Sequence, residues 1–439
     1  MRIAFTTVGC RLNQFETDAL RGHAQHGGHE VVPFEAEADA YVINTCTITA
    51  EADADSRQLA RRAVHRNPAA IVAVTGCYAQ AAPDRVAAIA GVDLVLGNQE
   101  KAGLLLALIA FHKTGAPTIQ VGDMAALRRM DADAYGPGIA PDRTRAFLKI
   151  QDGCNYRCSF CVVPQVRGAN RSQTPDRVRA EIARLQTGGF PEVVLTGIHL
   201  GTYGRDLTPK TTLPALCRQI LETPDGPRIR LSSLDPHEVT AGLIGLFDTG
   251  RLCRHLHLPL QSGDEGVLRR MRRGHTAAQF RSLVEEATCA VPGLAVSADV
   301  IVGFPGEDDE AFRHTYEMLD GLPIAGLHVF SYSRRPGTDA ATYPDQVDRS
   351  IIRERSQALR SLAARKMRAF RECGVGEAVE VVVLRSRADL GVLEGLSDNY
   401  LRVWFTGDAE LIGGRAWVRV EATTPDGVRG VLCPEPRIG

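Results

Sequence analysis

Short apolar runs, each as long as one β-strand, alternate with helix-length stretches through residues 1–113. The predicted strands lie at 3–8, 41–43, 71–74 and 94–96. Such alternation is typical of a doubly wound α/β domain, in which helices cover both faces of a parallel sheet. The run 104–111, between Lys101 and Lys113, is far shorter than the roughly 20 residues that span a bilayer, so we expect a core helix there.

A second series of strand-length runs begins near Arg143, after a connector at 114–142 that is rich in proline and glycine. Its members lie at 147–150, 193–195, 229–231, 256–258, 296–302 and 327–330. Helical stretches separate most of them, and six β/α units are too few for a closed eight-stranded barrel. We therefore expect residues 143–372 to form an open (β/α)6 partial TIM barrel, whose open side would admit a large substrate.

Residues 374–439 change to short β-type runs at 379–384, 392–396, 400–405 and 417–420, separated by turns rich in glycine or aspartate. They predict a small all-β barrel as a third domain. Tyr400, Trp404, Phe405 and Trp417 could stack nucleic-acid bases. Their strand spacing favours places in the core of the barrel instead.

The helix predicted at 349–371, just before this tail, carries eight basic residues against one acidic residue. Arg365 and Arg368 on it are candidates for phosphate contacts, although a solvated helix face would have the same composition. The tail has seven basic and ten acidic residues, which argues against a strong grip on RNA. The whole chain has a net charge of -1, so any nucleic-acid contact must come from local patches.

Eleven cysteines occur among the 439 residues, and an odd number cannot all pair in disulfides. The N-terminal segment 1–8 is too short and too polar for a secretory signal, so we expect a cytoplasmic protein without a membrane segment. In a reducing compartment, this many cysteines favour metal binding over a disulfide framework.

Cys154, Cys158 and Cys161 have CxxxCxxC spacing and follow the first predicted barrel strand, at the end that forms the active face of such barrels. Thiolates are the usual ligands of iron-sulfur clusters, and three of them leave one iron of a 4Fe-4S cubane open. An open iron can chelate the amino and carboxylate groups of S-adenosylmethionine (SAM), reduce the sulfonium and release a 5'-deoxyadenosyl radical. A zinc site is the alternative, but zinc usually has a fourth protein ligand, and none lies nearby in sequence.

Cys10, Cys46 and Cys77 are far apart in sequence, yet each lies one to three residues beyond the end of a predicted strand. Parallel strands bring their carboxyl ends to one edge of a doubly wound sheet, where ligands bind. Three thiolates there could hold a second cluster. The alternative is three buried cysteines that pack as small apolar residues, and spacing alone does not decide between the two.

The CxxxCxxC motif, with Phe160 before its last cysteine, resembles the hallmark of the radical SAM superfamily. Three further runs resemble the N-terminal domain of its methylthiotransferases: Val8-Gly9-Cys10-Arg11-Leu12-Asn13-Gln14-Phe15-Glu16-Thr17, Asn44-Thr45-Cys46 and Thr75-Gly76-Cys77. In that family the three N-terminal cysteines bind an auxiliary 4Fe-4S cluster. The resemblance covers essentially the whole chain, and the tail is similar to the RNA-binding TRAM domain.

The resemblance also implies contacts to SAM. Thr196 and Gly197 look like the segment that holds the methionine amino group, Ser233 follows its strand as a ribose contact would, and the run 300–307 resembles the adenine-side motif. The expected SAM contacts are Tyr156, Phe160, Thr196, Gly197, Ser233, Gln261, Val302 and Phe330.

Arg167 and Arg171 lie in the loop after the cysteines, and we expect them to bind the SAM carboxylate or a substrate phosphate. Gln173 stands where the family usually has arginine. His255 and His257 alternate on one predicted strand and could be metal ligands, but a packing or hydrogen-bonding role at the site is favoured over that reading.

Members of the family replace a C–H bond by C–SCH3, with two SAM molecules, two clusters and a reducing partner such as flavodoxin. Its branches act at C2 of a modified adenosine 37 of tRNA or on an aspartate of a ribosomal protein. The run 9–17 most resembles the bacterial branch that acts on N6-threonylcarbamoyladenosine. We therefore expect an enzyme that takes the anticodon loop of tRNA. The alternatives are N6-isopentenyladenosine, the ribosomal protein and, in a different class, a zinc-containing RNA-binding protein without catalytic activity.

Overall fold

The structure is a computed structural model that describes residues 1–130, 143–384 and 391–435. The contacts divide it into two compact units. The first unit contains the described residues up to 130, Gln151–Gln173 and Ser333–Thr342, and the second contains the rest. The loop with Cys154, Cys158 and Cys161 thus shares a unit with the N-terminal sheet, whereas the sequence boundaries place it in the central domain.

The regular elements of both units are numbered here in chain order. The strands are β1 (Arg2–Thr7), β2 (Glu30–Val32), β3 (Ala40–Thr45), β4 (Ile71–Gly76), β5 (Leu94–Leu96), β6 (Thr118–Gln120), β7 (Ala146–Lys149), β8 (Gln151–Asp152), β9 (Arg171–Ser172), β10 (Glu192–Thr196), β11 (Arg228–Leu231), β12 (His255–Gln261), β13 (Ala295–Val302), β14 (Gly326–Ser331), β15 (Ala378–Val383), β16 (Val392–Ser397), β17 (Arg402–Thr406), β18 (Arg415–Thr424) and β19 (Gly427–Leu432). The α-helices are α1 (Arg11–His26), α2 (Ala50–Arg66), α3 (Cys77–Ala81), α4 (Pro83–Ala87), α5 (Leu104–Ala110), α6 (Val163–Arg167), α7 (Pro175–Thr187), α8 (Leu213–Leu221), α9 (Ala241–Ile244), α10 (Glu265–Met271), α11 (Ala277–Ala290), α12 (Asp309–Gly321) and α13 (Arg349–Cys373).

The first unit is built on a parallel sheet with the strand order β2-β1-β3-β4-β5-β6. Neighbouring residues of β3 point to opposite faces: Tyr41 and Ile43 join the core under α2, α3 and α4, while Ala40 and Val42 join the core under α1 and α5. The sheet therefore has a hydrophobic core on each face, which confirms the doubly wound fold.

Two details of this unit differ from the predictions. Strand β6 lies inside the predicted connector 114–142 and extends the sheet beside β5. Helix α5 packs Leu104 and Leu108 against the sheet but leaves Leu106 74% and Ile109 56% exposed. The expected core helix is therefore a surface helix with one buried face.

The second unit contains six parallel strands, which pair as β7-β10-β11 and β12-β13-β14. A parallel bridge between Ile229 and Leu252 joins the two groups. Helices α7 to α12 alternate with these strands. The predicted open (β/α)6 barrel is confirmed. None of the described helices contains an apolar stretch long enough to cross a membrane.

The tail forms a closed five-stranded barrel in the order β15-β16-β17-β19-β18. This architecture confirms the expected TRAM-like domain. Phe405 lies in its core, while Trp404 and Trp417 are half-buried. Tyr400 instead covers the guanidinium of Arg230 at 4.3 Å. The core placement expected of the four aromatic residues is correct only for Phe405.

A buried carboxylate joins the strands of the open barrel to this tail. Glu192 on β10 accepts hydrogen bonds from Arg228 at 2.7 Å and Arg230 at 2.8 Å on β11, and Arg145 lies 3.2 Å away. Burial raises the pKa of Glu192, but the surrounding arginines outweigh burial and hold it well below its ordinary value. Arg228 also donates to the carbonyl of Leu396, and Arg230 to those of Ser397 and Asp398. The carboxylate thus orients two arginines that hold the β16–β17 turn.

Candidate iron-sulfur and S-adenosylmethionine sites

The N-terminal cysteines gather at the carboxyl ends of three adjacent strands. Cys10 caps α1 after β1, Cys46 follows β3, and Cys77 begins α3 after β4. Cys46 and Cys77 are each 6% exposed, and Cys10 is at the surface. Burial raises the pKa of Cys46 to about 12, and the neighbouring thiols of Cys77 and Cys10 add to the effect. The structure therefore brings together the three residues that the sequence places far apart.

Glycines precede two of these cysteines because a side chain would not fit. Gly9 has φ +107, and a Cβ there would lie 2.6 Å from Cβ and 2.9 Å from Sγ of Cys46. Gly76 has φ +98, and its Cβ would lie 2.5 Å from the carbonyl of Thr45. Positive φ and close backbone approach both require glycine here, so the two Gly-Cys pairs allow the three loops to meet.

Arg167 is buried beside this triplet, at 1% exposure. Its Nε donates to Sγ of Cys77 at 3.3 Å. The other four N–H groups donate to Asn13, Asp152 and, twice, Glu16. All five donors are engaged within the chain, so the predicted contact with the SAM carboxylate or a substrate phosphate would have to replace some of these bonds, and it stays a prediction. In this structure the guanidinium instead donates to a sulfur atom of the N-terminal triplet.

Glu16 is shared between Arg167 and a second buried cation, Lys101. Lys101 also donates to Asn98 at 3.1 Å, and Asn98 lies 3.8 Å from Sγ of Cys77. Burial lowers the pKa of Lys101, while Glu16 opposes that change. Although burial opposes it, Cys77 and Glu16 raise the pKa of Arg167 well above its ordinary value. Arg167 is therefore a permanent cation next to the thiols.

Arg171 is also a structural residue. Its side chain is 4% exposed, lies 3.9 Å from Asp152 and donates to the carbonyls of Ala169 and Arg167 at 3.0 Å. Its guanidinium is buried in the loop that it holds, so the predicted substrate contact of Arg171 also stays a prediction that would require these bonds to be exchanged.

The second triplet lies in a loop whose backbone donates to sulfur. The N–H of Tyr156 lies 3.4 Å from Sγ of Cys154, and the N–H of Val163 lies 3.4 Å from Sγ of Cys161. Gly153 has φ +72, and a Cβ there would collide with the carbonyl of Ala169. The three half-buried thiols, two of which have backbone N–H donors, fit a three-thiolate iron-sulfur cluster, whose properties such bonds tune.

The segment Ser333–Thr342 contacts both cysteine-bearing loops within the first unit. Arg335 donates to Thr47 at 2.7 Å and to Asp53 at 2.6 Å, next to Cys46. Further along, Ala340 donates to the carbonyl of Ser159 at 2.8 Å, between Cys158 and Cys161. Sequence reasoning missed Arg335, because its partners are nearly 300 residues away and no local pattern marks them.

The expected SAM contacts fall in both units. Tyr156 and Phe160 are half-buried in the first unit. In the second, the expected residues occupy the carboxyl ends of successive strands of the open barrel: Thr196 and Gly197 at β10, Ser233 after β11, Gln261 at β12, Val302 at β13 and Phe330 near the end of β14. Gln261 has φ +73, a strained conformation typical of functional sites.

The basic helix α13 is not a uniform solvated face. Arg365 and Arg368 are exposed, and Arg365 pairs with Asp320 at 2.9 Å. Arg355 is buried and bonds to Glu307 at 2.8 Å and Asp309 at 2.6 Å. Only part of the predicted basic face is therefore available to a phosphate.

Comparison with known proteins finds one family match in the N-terminal sheet region and another in the open-barrel region. Residues 148–319 match the radical SAM superfamily, and residues 2–97 match a family described as uncharacterized protein family UPF0004. The solved structures of similar fold include TsrM from Kitasatospora setae, a radical SAM methyltransferase with cobalamin and a [4Fe-4S] cluster bound. Its TM-score is 0.56 at 16% sequence identity, and the match covers 77% of this chain and 76% of that chain. The cobalamin-dependent SAM radical enzyme OxsB has a TM-score of 0.52, with 10% identity over 84% of this chain and 56% of that one.

The open barrel and its CxxxCxxC loop are those of a radical SAM enzyme. Relatives over the full length are named threonylcarbamoyladenosine tRNA methylthiotransferase MtaB: that of Bacillus subtilis is 38% identical, covering 95% of this chain and 93% of the relative. That of Aquifex aeolicus is 38% identical over 94% and 98%, and that of Thermotoga maritima 30% identical over 97% and 96%. The chain therefore belongs to the radical SAM tRNA methylthiotransferase family.

Proposed function

We propose that this protein inserts a methylthio group at C2 of N6-threonylcarbamoyladenosine 37 in tRNA, using two 4Fe-4S clusters and two molecules of SAM. The observation that carries the proposal is the pair of cysteine triplets in one compact unit, one gathered from three loops at a sheet edge and the other supplied by a single loop. The full-length relatives, named for this activity on threonylcarbamoyladenosine, support the choice of substrate.

The two triplets have different surroundings, which suggests a division of roles. Cys154, Cys158 and Cys161 are half-buried, and Cys154 and Cys161 receive backbone N–H groups, whereas Sγ of Cys77 accepts a hydrogen bond from buried Arg167. When bound, the first cluster supplies the electron that cleaves SAM and the second carries the sulfur to be inserted. The target hydrogen is on an unactivated carbon that no side-chain base removes at neutral pH, so a radical source and a sulfur site in one chain suit this reaction.

The remaining parts of the proposal concern the partners. The strand-end residues Thr196, Gly197, Ser233 and Gln261 hold SAM on the open barrel. A single-stranded anticodon loop can present one base to such an open site, while exposed Arg365 and Arg368 contact its phosphates. A flavodoxin-like protein supplies electrons, and the reaction takes place in the cytoplasm.

The test separates the roles of the two triplets. Cys154→Ala, Cys46→Ala and, as a control, Cys289→Ala, an exposed cysteine outside both triplets, are reconstituted anaerobically and assayed for SAM cleavage and for methylthiolated nucleosides by mass spectrometry. We expect Cys154→Ala to lose both activities. Cys46→Ala should keep SAM cleavage but form no product, and Cys289→Ala should keep both.

Three results would contradict the proposal. Equal loss of both activities in Cys154→Ala and Cys46→Ala would remove the division of roles. A product on isopentenyladenosine or on a ribosomal protein would change the substrate. Reconstituted protein with zinc and no sulfide, in place of about eight irons per chain, would remove the catalytic function itself.

A further inference from the structure

Three side chains outside the proposed cluster sites meet on one face of the open barrel. His257 on β12, Asp299 on β13 and His328 on β14 point their ligand atoms at one another. Nε2 of His257 lies 2.7 Å from Oδ1 of Asp299, Nδ1 of His328 lies 3.0 Å from the same oxygen, and the two nitrogens are 3.2 Å apart. The three atoms therefore form a nearly equilateral triangle.

The strand pairing produces this arrangement. Asp299 and His328 are direct partners across β13 and β14, and His257 lies on the other neighbour of β13. On β12 and β13 the alternate residues are buried, so these side chains stand on the less buried face of the sheet. The side chain of His328 is 56% exposed, against 14% and 18% for His257 and Asp299. A bound ion would thus have protein on one side and room for further ligands on the other.

The spacing matches the ligands of a six-coordinate metal ion. Two neighbouring ligands at about 2.1 Å from an octahedral ion are about 3.0 Å apart, whereas tetrahedral zinc would separate them by about 3.4 Å. Two histidines and one carboxylate on one face of the ion are the ligand set of non-haem iron sites with open positions. The observed separations of 2.7, 3.0 and 3.2 Å fit the octahedral case.

The surroundings support a ligand role for His257. Its other ring nitrogen, Nδ1, lies 2.7 Å from Oγ of Ser233. Such a bond orients the ring and leaves Nε2 for the metal, as is usual for metal-bound histidine.

A second cluster of one aspartate and two histidines serves as a comparison for this candidate metal site. Asp235, His237 and His275 also bring their ligand atoms together. There, however, Arg273 already forms an ion pair with Asp235, so a metal ion would have to displace a guanidinium. Among the described residues, by contrast, Asp299 pairs with the two histidines alone.

We infer that His257, Asp299 and His328 form a binding site for one six-coordinate divalent transition-metal ion, such as Mn2+ or Fe2+, separate from the cysteine triplets. The inference is independent of the proposed function, because it concerns metal binding and not turnover. Mn2+ is the probe of choice, since thiolates prefer softer metals.

The experiment titrates cluster-reconstituted protein with Mn2+ and follows free Mn2+ by EPR, with the clusters in their oxidised, EPR-silent state. We expect one bound Mn2+ per chain, with affinity reduced at least about tenfold in Asp299→Ala and in His328→Ala. His237→Ala, which alters the comparison group, should bind like the unaltered protein. His328 is exposed, so its variant keeps the test valid if Asp299→Ala fails to fold.

The inference is overturned if the unaltered protein binds no Mn2+ at millimolar concentration, or if binding survives in both Asp299→Ala and His328→Ala. Loss of binding in His237→Ala alone would place the ion at the comparison group and also overturn it.

Discussion

Replacing Arg167 by methionine tests whether this buried cation holds the N-terminal cysteine triplet together. The change removes five hydrogen bonds from a side chain that is 1% exposed, including both bonds to Glu16. Breaking a buried ion pair costs about 3–5 kcal/mol. Lys101 still pairs with Glu16 in the variant, so we expect the lower value, about 3 kcal/mol. This free energy corresponds to an increase of about a hundredfold in the equilibrium constant for local opening of the site.

Maleimide labelling of Cys77 in the cluster-free, reduced protein measures this opening. Cys77 is 6% exposed, so it reacts only when the site opens locally. We expect Cys77 to be labelled about a hundredfold faster in Arg167→Met than in the unaltered protein. The labelling rate in Arg167→Lys should lie between the rates of these two proteins. Cys217, fully buried in the second unit, is the internal control, and Arg61→Met, an exposed arginine on α2, is the control variant. Less than about threefold acceleration, or equal acceleration at Cys217, would refute the reasoning.

Three further predictions follow from the same contacts. The pKa of Glu192 is lower in the folded than in the unfolded chain, so its stabilisation is fully present above its ordinary pKa of about 4.3 and is lost progressively as the pH falls from there towards the folded pKa. Glu192→Gln should therefore lose about 3–5 kcal/mol of unfolding free energy at pH 7 in chemical denaturation, and this loss should shrink by at most about 1.4 kcal/mol for each pH unit below about 4.3. Gly76→Ala should abolish iron binding at the N-terminal triplet, because residue 76 has a positive φ and a Cβ there would collide with the carbonyl of Thr45. Gly103→Ala, whose added Cβ has nothing within 4 Å, should retain all the iron. Equal iron contents in the two variants would contradict this prediction. Arg335→Met should lower the iron content by removing the bonds to Thr47 and Asp53, while the adjacent exposed Arg334→Met should not, and matching values for the two variants would exclude a positioning role for Arg335.

The sequence by itself determined the elements whose signal is local. Ten parallel strands of the N-terminal sheet and the open barrel coincide with predicted apolar runs, because a buried parallel strand needs a continuous apolar segment. The CxxxCxxC motif is likewise local, since one loop supplies all three thiols. Two of the strands that sequence reasoning missed lack that signal: Thr118–Gln120 is exposed throughout, and Gly427–Leu432 contains two glycines.

Only the tertiary structure decided which distant groups meet. Cys10, Cys46 and Cys77 converge because β1, β3 and β4 are neighbours in the sheet, and spacing alone left that open. Arg167 looks like a ligand-binding residue in a loop, yet its partner Glu16 lies 151 residues earlier and the pair is buried. The sequence marks His257 as a residue that could be a metal ligand, but only the pairing of the strands places Asp299 and His328 beside it. A residue's chemistry can be read from its type, but its charge partners depend on which strands pair, and that is a property of the folded chain.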